Sequence, residues 1–126
     1  PGIDLGITPS LLDDHIAVDI GTDALAQALA RQLSAPAIIA TVSRLVVDCN
    51  RDPGEAGAVP ASSDGHIIYG NWALPEAERA LRIETIHAPY HAAIAAAIRQ
   101  QPPALIVSIH SFTPQLATRP EEQRPW

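Results

Sequence analysis

Apolar positions along the chain fall into two patterns, one helical and one strand-like. From Thr8 they recur at three- and four-residue steps, through Leu11, Leu12, Ile16, Ile20, Leu25, Leu29 and Leu33. That is the period of helices with one buried face. Thr8-Pro9 supplies a start, with Thr8 as cap and Pro9 at the first helical position, where its missing N–H is no loss. Gly21 divides the stretch in two, with Thr22 capping the second helix, and Pro36 closes it. Residues 37–42 and 45–49 are short, apolar and β-branched, the pattern of buried strands. Residues 52–73, with Gly54, Gly57, Pro60, Gly65 and Gly70, read as a long turn-rich segment. A further helix opens at Pro75 and carries Leu81, Ile83 and Ile86 to Pro89, which is expected to kink or restart it. It continues through Ile94 and Ile98 to Pro102-Pro103, after which residues 104–109 form an apolar strand that delivers His110. Helices alternating with buried strands predict an α/β fold, a mixed sheet flanked by helices, in a single domain over residues 1–126.

Composition narrows the setting. All eight basic residues are arginines and the net charge is −6, which excludes a phosphate-tracking surface and hence a nucleic-acid partner. No apolar run approaches the roughly 20 residues of a membrane span, and no signal segment opens the chain. A single cysteine builds no internal disulfide framework, so a reducing compartment, the cytoplasm, is the expectation. With aromatic residues at 4%, the core must be aliphatic. With no methionine in the chain, Pro1 is expected to be a processed end, a trimmed end or a fragment boundary.

Two polar clusters stand at the ends of predicted strands: Asp48-Cys49-Asn50-Arg51 and Ser108-Ile109-His110-Ser111-Phe112. Ligands in open α/β sheets bind beyond the carboxyl ends of strands, so both clusters converge on the expected site. A histidine at a strand end can be aimed at a metal or a reacting group. An arginine in the following loop can fork onto a substrate carboxylate through two parallel hydrogen bonds. The plainer alternatives are a satisfied core histidine at 110 and an Arg51 paired with Asp48 or Asp52. Arg44 reads as a brace for its loop. His87 and His91 have the i,i+4 spacing of a helical zinc pair, but Pro89 between them should keep the rings off a common face. His91, in Pro-Tyr-His, is the better candidate to line the site. His15 and Asp19 read as an ordinary helix-surface pair, His66 as solvated and Cys49 as a small buried hydrophobe. No G-x-S-x-G elbow supports Ser108 or Ser111 as a nucleophile.

Taken together, Ser43-Arg44-Leu45-Val46-Val47-Asp48-Cys49-Asn50-Arg51, Pro89-Tyr90-His91 and Ser108-Ile109-His110-Ser111-Phe112-Thr113-Pro114 resemble the N-formylglutamate amidohydrolase family. His15-Ile16-Ala17-Val18-Asp19-Ile20-Gly21 and Arg124-Pro125-Trp126 fit the same pattern. More distantly, the Asn-Arg pair and Ser-Ile-His-Ser resemble zinc carboxypeptidases. The resemblance implies a zinc-carboxypeptidase-like (phosphorylase/hydrolase-like) fold, incomplete in this chain, and zinc-dependent hydrolysis of N-formylglutamate or a related N-acyl amino acid. It implies His110 as the last of three zinc ligands, and Arg51, with Asn50 beside it, as the carboxylate-binding pair. The other two ligands are expected in a segment before Pro1 and a general-base glutamate beyond Trp126, so this chain alone is expected to be inactive. The alternatives are a non-catalytic carboxylate-binding module and a carboxypeptidase-like or cell-wall peptide amidase. A sheet edge left unpaired would favour a homo-oligomer.

Overall fold

The computed structural model describes residues 2–123; Pro1 and the Arg124-Pro125-Trp126 motif lie outside them. The chain opens with an irregular segment and a 3-10 helix, Pro9–Asp13; Pro9 starts it as expected, but the helix expected to continue to Ile20 ends at Asp13, and residues 14–20 are turns and bends. Helix α1 spans Thr22–Leu33. Thr22 is its first residue and not its cap: Gly21 holds the cap position, and Thr22 Oγ1 donates to the Asp19 carbonyl at 2.7 Å. Leu25, Leu29 and Leu33, expected to face a core, are all exposed.

The turn-rich segment contains a 3-10 helix, Ala56–Ala58, and an antiparallel hairpin of β1 (Ser62–Ser63) and β2 (His66–Ile67). Its turn is Asp64-Gly65, with φ of 41° and 84°. An Asp-Gly pair with both φ positive is what a two-residue hairpin loop requires. A single helical turn, α2 (Tyr69–Trp72), follows. Gly70 donates to the Leu5 carbonyl at 2.9 Å. A Cβ there would collide with the Asp4 carbonyl and sit 2.8 Å from Leu5 Cα, so only glycine allows this approach.

Beyond Pro75 runs one continuous rod: α3 (Glu76–Arg82), a π-helical stretch (Ile83–His87) and α4 (Ala88–Gln100). Pro89 does not break it. The widened π turn lies just before the proline, and the Ala88 N–H reaches back five residues to the Ile83 carbonyl. A second hairpin, β3 (Gln115–Leu116) with β4 (Arg119–Gln123), ends the described chain.

The core is aliphatic, as the composition required: Leu5, Ile16, Ala17, Leu45, Val46, Val47, Val59 and Ile68, with Ile83 and Ile86 of the rod against it. The architecture is one of mixed helices and small sheets. The three apolar runs read as strands pair with no neighbour among the described residues, which corrects the expectation of strands at 37–42, 45–49 and 104–109. The reasons differ. Residues 45–47 are buried as a strand would be, but the Leu45 and Val46 carbonyls accept from side chains, Asn71 and Arg82. Residues 104–109 form no regular element and leave Leu105, Ile106 and Val107 exposed, with no second strand beside them to complete a ladder.

Candidate active site

Backbone carbonyls of the buried run at 45–47 must find donors, and those of the exposed loop that follows find them too. Between Leu45 and Glu55 the donors come from α2 and the rod. Asn71 Nδ2 donates to the Leu45 and Pro60 carbonyls at 2.7 and 2.8 Å. Arg82 Nη1 donates to Asn71 Oδ1 at 2.7 Å and more weakly to the Val46 carbonyl at 3.4 Å. Burial pushes the Arg82 guanidinium below its usual pKa, opposed by the nearby Glu78 charge. Further along, His91 Nε2–H donates to the Cys49 carbonyl at 2.9 Å and His87 Nε2–H to the Arg51 carbonyl at 3.0 Å. Arg79 Nη2 closes the series on the Pro53 and Glu55 carbonyls at 2.7 and 2.8 Å. One helical rod thus presents four cationic or imidazole side chains to one loop.

His87 and His91 do share a helix face, with ring centroids 4.4 Å apart, because the π turn absorbs Pro89. That corrects the expectation that the proline would separate them. A carbonyl oxygen only accepts, so each ring must carry its proton on Nε2. The pair is a loop clamp.

The clamped loop borders a cleft of about 350 Å³, whose walls include Arg44, Asp48, Arg51, Asp64, Ser111 and Thr113. Asp48 Oδ1 accepts from the Asn50 N–H at 2.9 Å, and the Arg51 N–H donates to the Asp48 carbonyl at 3.2 Å, a tight turn that sets Arg51 at the rim. The Arg51 guanidinium lies 3.9 Å from Glu55, with both side chains more than half exposed, so its fork is only loosely engaged. Asn50 is exposed in the same turn.

On the adjoining side, Asp19 joins two segments distant in sequence. Arg44 Nη2 donates to its Oδ1 at 2.5 Å, and His110 Nδ1 lies 2.8 Å from its Oδ2. Ser108 Oγ is 3.0 Å from His110 Nε2. Arg44 is therefore the brace expected of it. Asp19 partners Arg44 and His110, which corrects its reading as a helix-surface partner of His15. His15 instead contacts Asp14 and Asp64.

Asp64 is the second tie. Its carboxylate, 4% exposed, accepts from the Ala117 and Thr118 N–H groups at 2.9 and 3.0 Å and from the Thr118 hydroxyl at 2.8 Å. Those backbone donors, with the Thr118 hydroxyl and His15, hold its pKa well below the usual carboxylate range. The β3–β4 turn is thereby pinned to the β1–β2 turn across the cleft.

The sequence profile of the N-formylglutamate amidohydrolase family matches residues 2–126. The chain belongs to that family. It is also similar to a solved structure, that of gene product Atu2144 from Agrobacterium tumefaciens, with 35% identity and a TM-score of 0.81. The alignment covers 91% of this chain and 47% of that one, so the chain spans about half the length of its structural relative. No curated protein matches it.

Within this member of the amidohydrolase family, the predicted site residues fall into three places. Arg51 lines the cleft, with Asn50 in the turn that carries it. His110 sits on the Asp19 side, and His91 supports the loop from beneath. Among the described residues no three His, Cys, Asp or Glu side chains come together as a metal-binding group. His110 has the chemistry of a single ligand: Nδ1 is directed at a carboxylate, which leaves Nε2 as the lone-pair nitrogen. Sequence reasoning missed Asp19, Asp64, Asn71 and Arg82. Asp64-Gly65 did carry a hairpin signal, but nothing in the spacing pointed to the other three.

Proposed function

We propose that the protein is a zinc-dependent amidohydrolase of N-formylglutamate or a related N-acyl amino acid, and that this chain supplies its carboxylate-binding side and one metal ligand. The observation that supports this most is Arg51, held at the rim of a cleft by a loop whose carbonyls are clamped by His87 and His91. A loosely engaged guanidinium on a rigid loop suits bidentate capture of an acidic substrate: the loop fixes the fork's position and the fork supplies the charge. Asn50, in the same turn, offers an amide to the same carboxylate. His110 would hold the metal through Nε2, as its Nδ1 contact with Asp19 suggests. Bound zinc supplies a Lewis acid for the scissile carbonyl and a water of lowered pKa. The described residues bring no three metal ligands together, so no step is assigned to the remaining ligands or to the proton carrier. The substrate is a small-molecule N-acyl amino acid.

Activity on N-formylglutamate, together with calorimetric binding of glutamate, tests the reading on the full-length protein. Arg51→Ala should raise KM and abolish glutamate binding, with Arg51→Lys recovering only part because an ammonium lacks the planar fork. Unchanged KM in Arg51→Ala would remove the carboxylate role. The loosely engaged Arg51 fork at the cleft would equally serve a second reading, a non-catalytic carboxylate-binding module. It predicts glutamate binding without hydrolysis in the full-length protein.

A further inference from the structure

Asp19 carries a constraint that the family reading does not include. Its two carboxylate oxygens are divided between two partners: Oδ1 takes the Arg44 guanidinium at 2.5 Å and Oδ2 faces His110 Nδ1 at 2.8 Å. The carboxylate is 13% exposed, against 28% for the His110 side chain and 32% for Arg44. Arg44 is anchored in turn, since its N–H donates to the Ala17 carbonyl at 3.1 Å and the neighbouring Ser43 hydroxyl donates to the same carbonyl at 3.0 Å. A carboxylate only accepts, so the proton between it and the imidazole must sit on Nδ1. In the neutral ring Nε2 then carries the lone pair and can accept from Ser108 Oγ–H across 3.0 Å.

We propose that Asp19, held by Arg44, is the positioning residue that fixes His110 as its Nδ1–H tautomer and keeps Nε2 available as an electron-pair donor. The metal arm of the test rests on the proposed function; the tautomer itself does not. Asp19→Asn makes the sharp case. Arg44 still demands an oxygen, so the amide NH₂ turns towards His110 and donates to Nδ1, which forces the proton onto Nε2.

The experiment uses ¹⁵N-histidine-labelled, chelator-treated full-length protein and two-bond ¹H–¹⁵N spectra, with the His110 signals assigned by their loss in His110→Gln. Wild-type protein should show His110 protonated on Nδ1, and folded Asp19→Asn should show it protonated on Nε2. Zn²⁺ affinity, measured by chelator competition, should fall about 10- to 100-fold in the same variant, the usual effect of losing a supporting group behind a ligand. Arg44→Gln leaves the carboxylate in place and should retain the Nδ1–H form. A wild-type His110 protonated on Nε2 would overturn the proposal without any variant, as would an unchanged tautomer in folded Asp19→Asn. Inversion of the tautomer in a protein that holds no zinc in either form would support the role of Asp19 while removing the metal reading.

Discussion

Replacing His87 by Phe tests whether the helical rod holds Arg51 in place. Phenylalanine keeps a ring of similar size against His91 and removes only the Nε2–H that donates to the Arg51 carbonyl at 3.0 Å. His87 is 7% exposed but Arg51 is exposed, so water can take over part of the bond at the carbonyl. Loss of a part-buried hydrogen bond of this kind costs about 0.5–1.5 kcal/mol. Urea denaturation should therefore show a loss in that range with an unchanged m-value. If the loss is concentrated in the 49–51 turn, the ordered loop becomes a smaller fraction of the population. Each 1.4 kcal/mol then lowers apparent affinity for an acidic substrate by up to about tenfold. The expected kinetic result is a raised KM for N-formylglutamate with kcat little changed, because His87 contacts the loop and no reacting atom. Nε2–H is a donor in both the neutral and the protonated ring, so the clamp should hold across pH 5–8 and the KM ratio should be flat there. A stability loss of this size with KM unchanged would show that the rod does not position Arg51. A fall in kcat at constant KM would refute the division of roles.

Three further outcomes follow from the same geometry. Arg82→Met should cost about 1–3 kcal/mol in urea melts because it orphans Asn71 Oδ1 in the core; an Arg82→Met/Asn71→Leu double variant less damaged than the sum would locate the loss in their mutual bond. Asp64 has a folded pKa below its unfolded value, so its contribution is complete above the ordinary carboxylate pKa of about 4 and drains away as pH falls below it. Asp64→Asn should therefore be less stable at neutral pH and lose less stability between about pH 4 and 2, and parallel acid limbs for the two proteins would contradict this. Gly70→Ala should destabilise by about 1–3 kcal/mol, since the new methyl meets the fixed Asp4–Leu5 backbone, and an unchanged melting midpoint would show that the segment yields.

Much of the local structure was legible in the chain. Pro9 and Pro75 marked helix starts, the apolar residues at 45–47 were buried as their run implied, and the glycines of 52–73 marked a segment of turns. The error at 45–49 is instructive because burial was right and the element was wrong. A buried apolar run needs its carbonyls satisfied, but the pattern does not say by what; here Asn71, Arg82 and His91 substitute for a neighbouring strand. Likewise, the period of Leu25, Leu29 and Leu33 predicted a helix correctly but placed its apolar stripe against a core that does not reach it.

The candidate site divides in the same way. Residue types alone singled out Arg51 and His110, since an arginine fork and an imidazole at a strand end have recognisable chemistry, and motif order carried the family. The sequence by itself determined which side chains bear that chemistry and which runs must be buried, because both are properties of residues and their near neighbours. Only the tertiary structure decided what each of them faces. His110 meets Asp19 across 91 positions, His91 meets Cys49 across 42 and His87 meets Arg51 across 36. Hydrogen-bond partners at such separations are chosen by how packed elements come to lie, and no period or spacing along the chain encodes them.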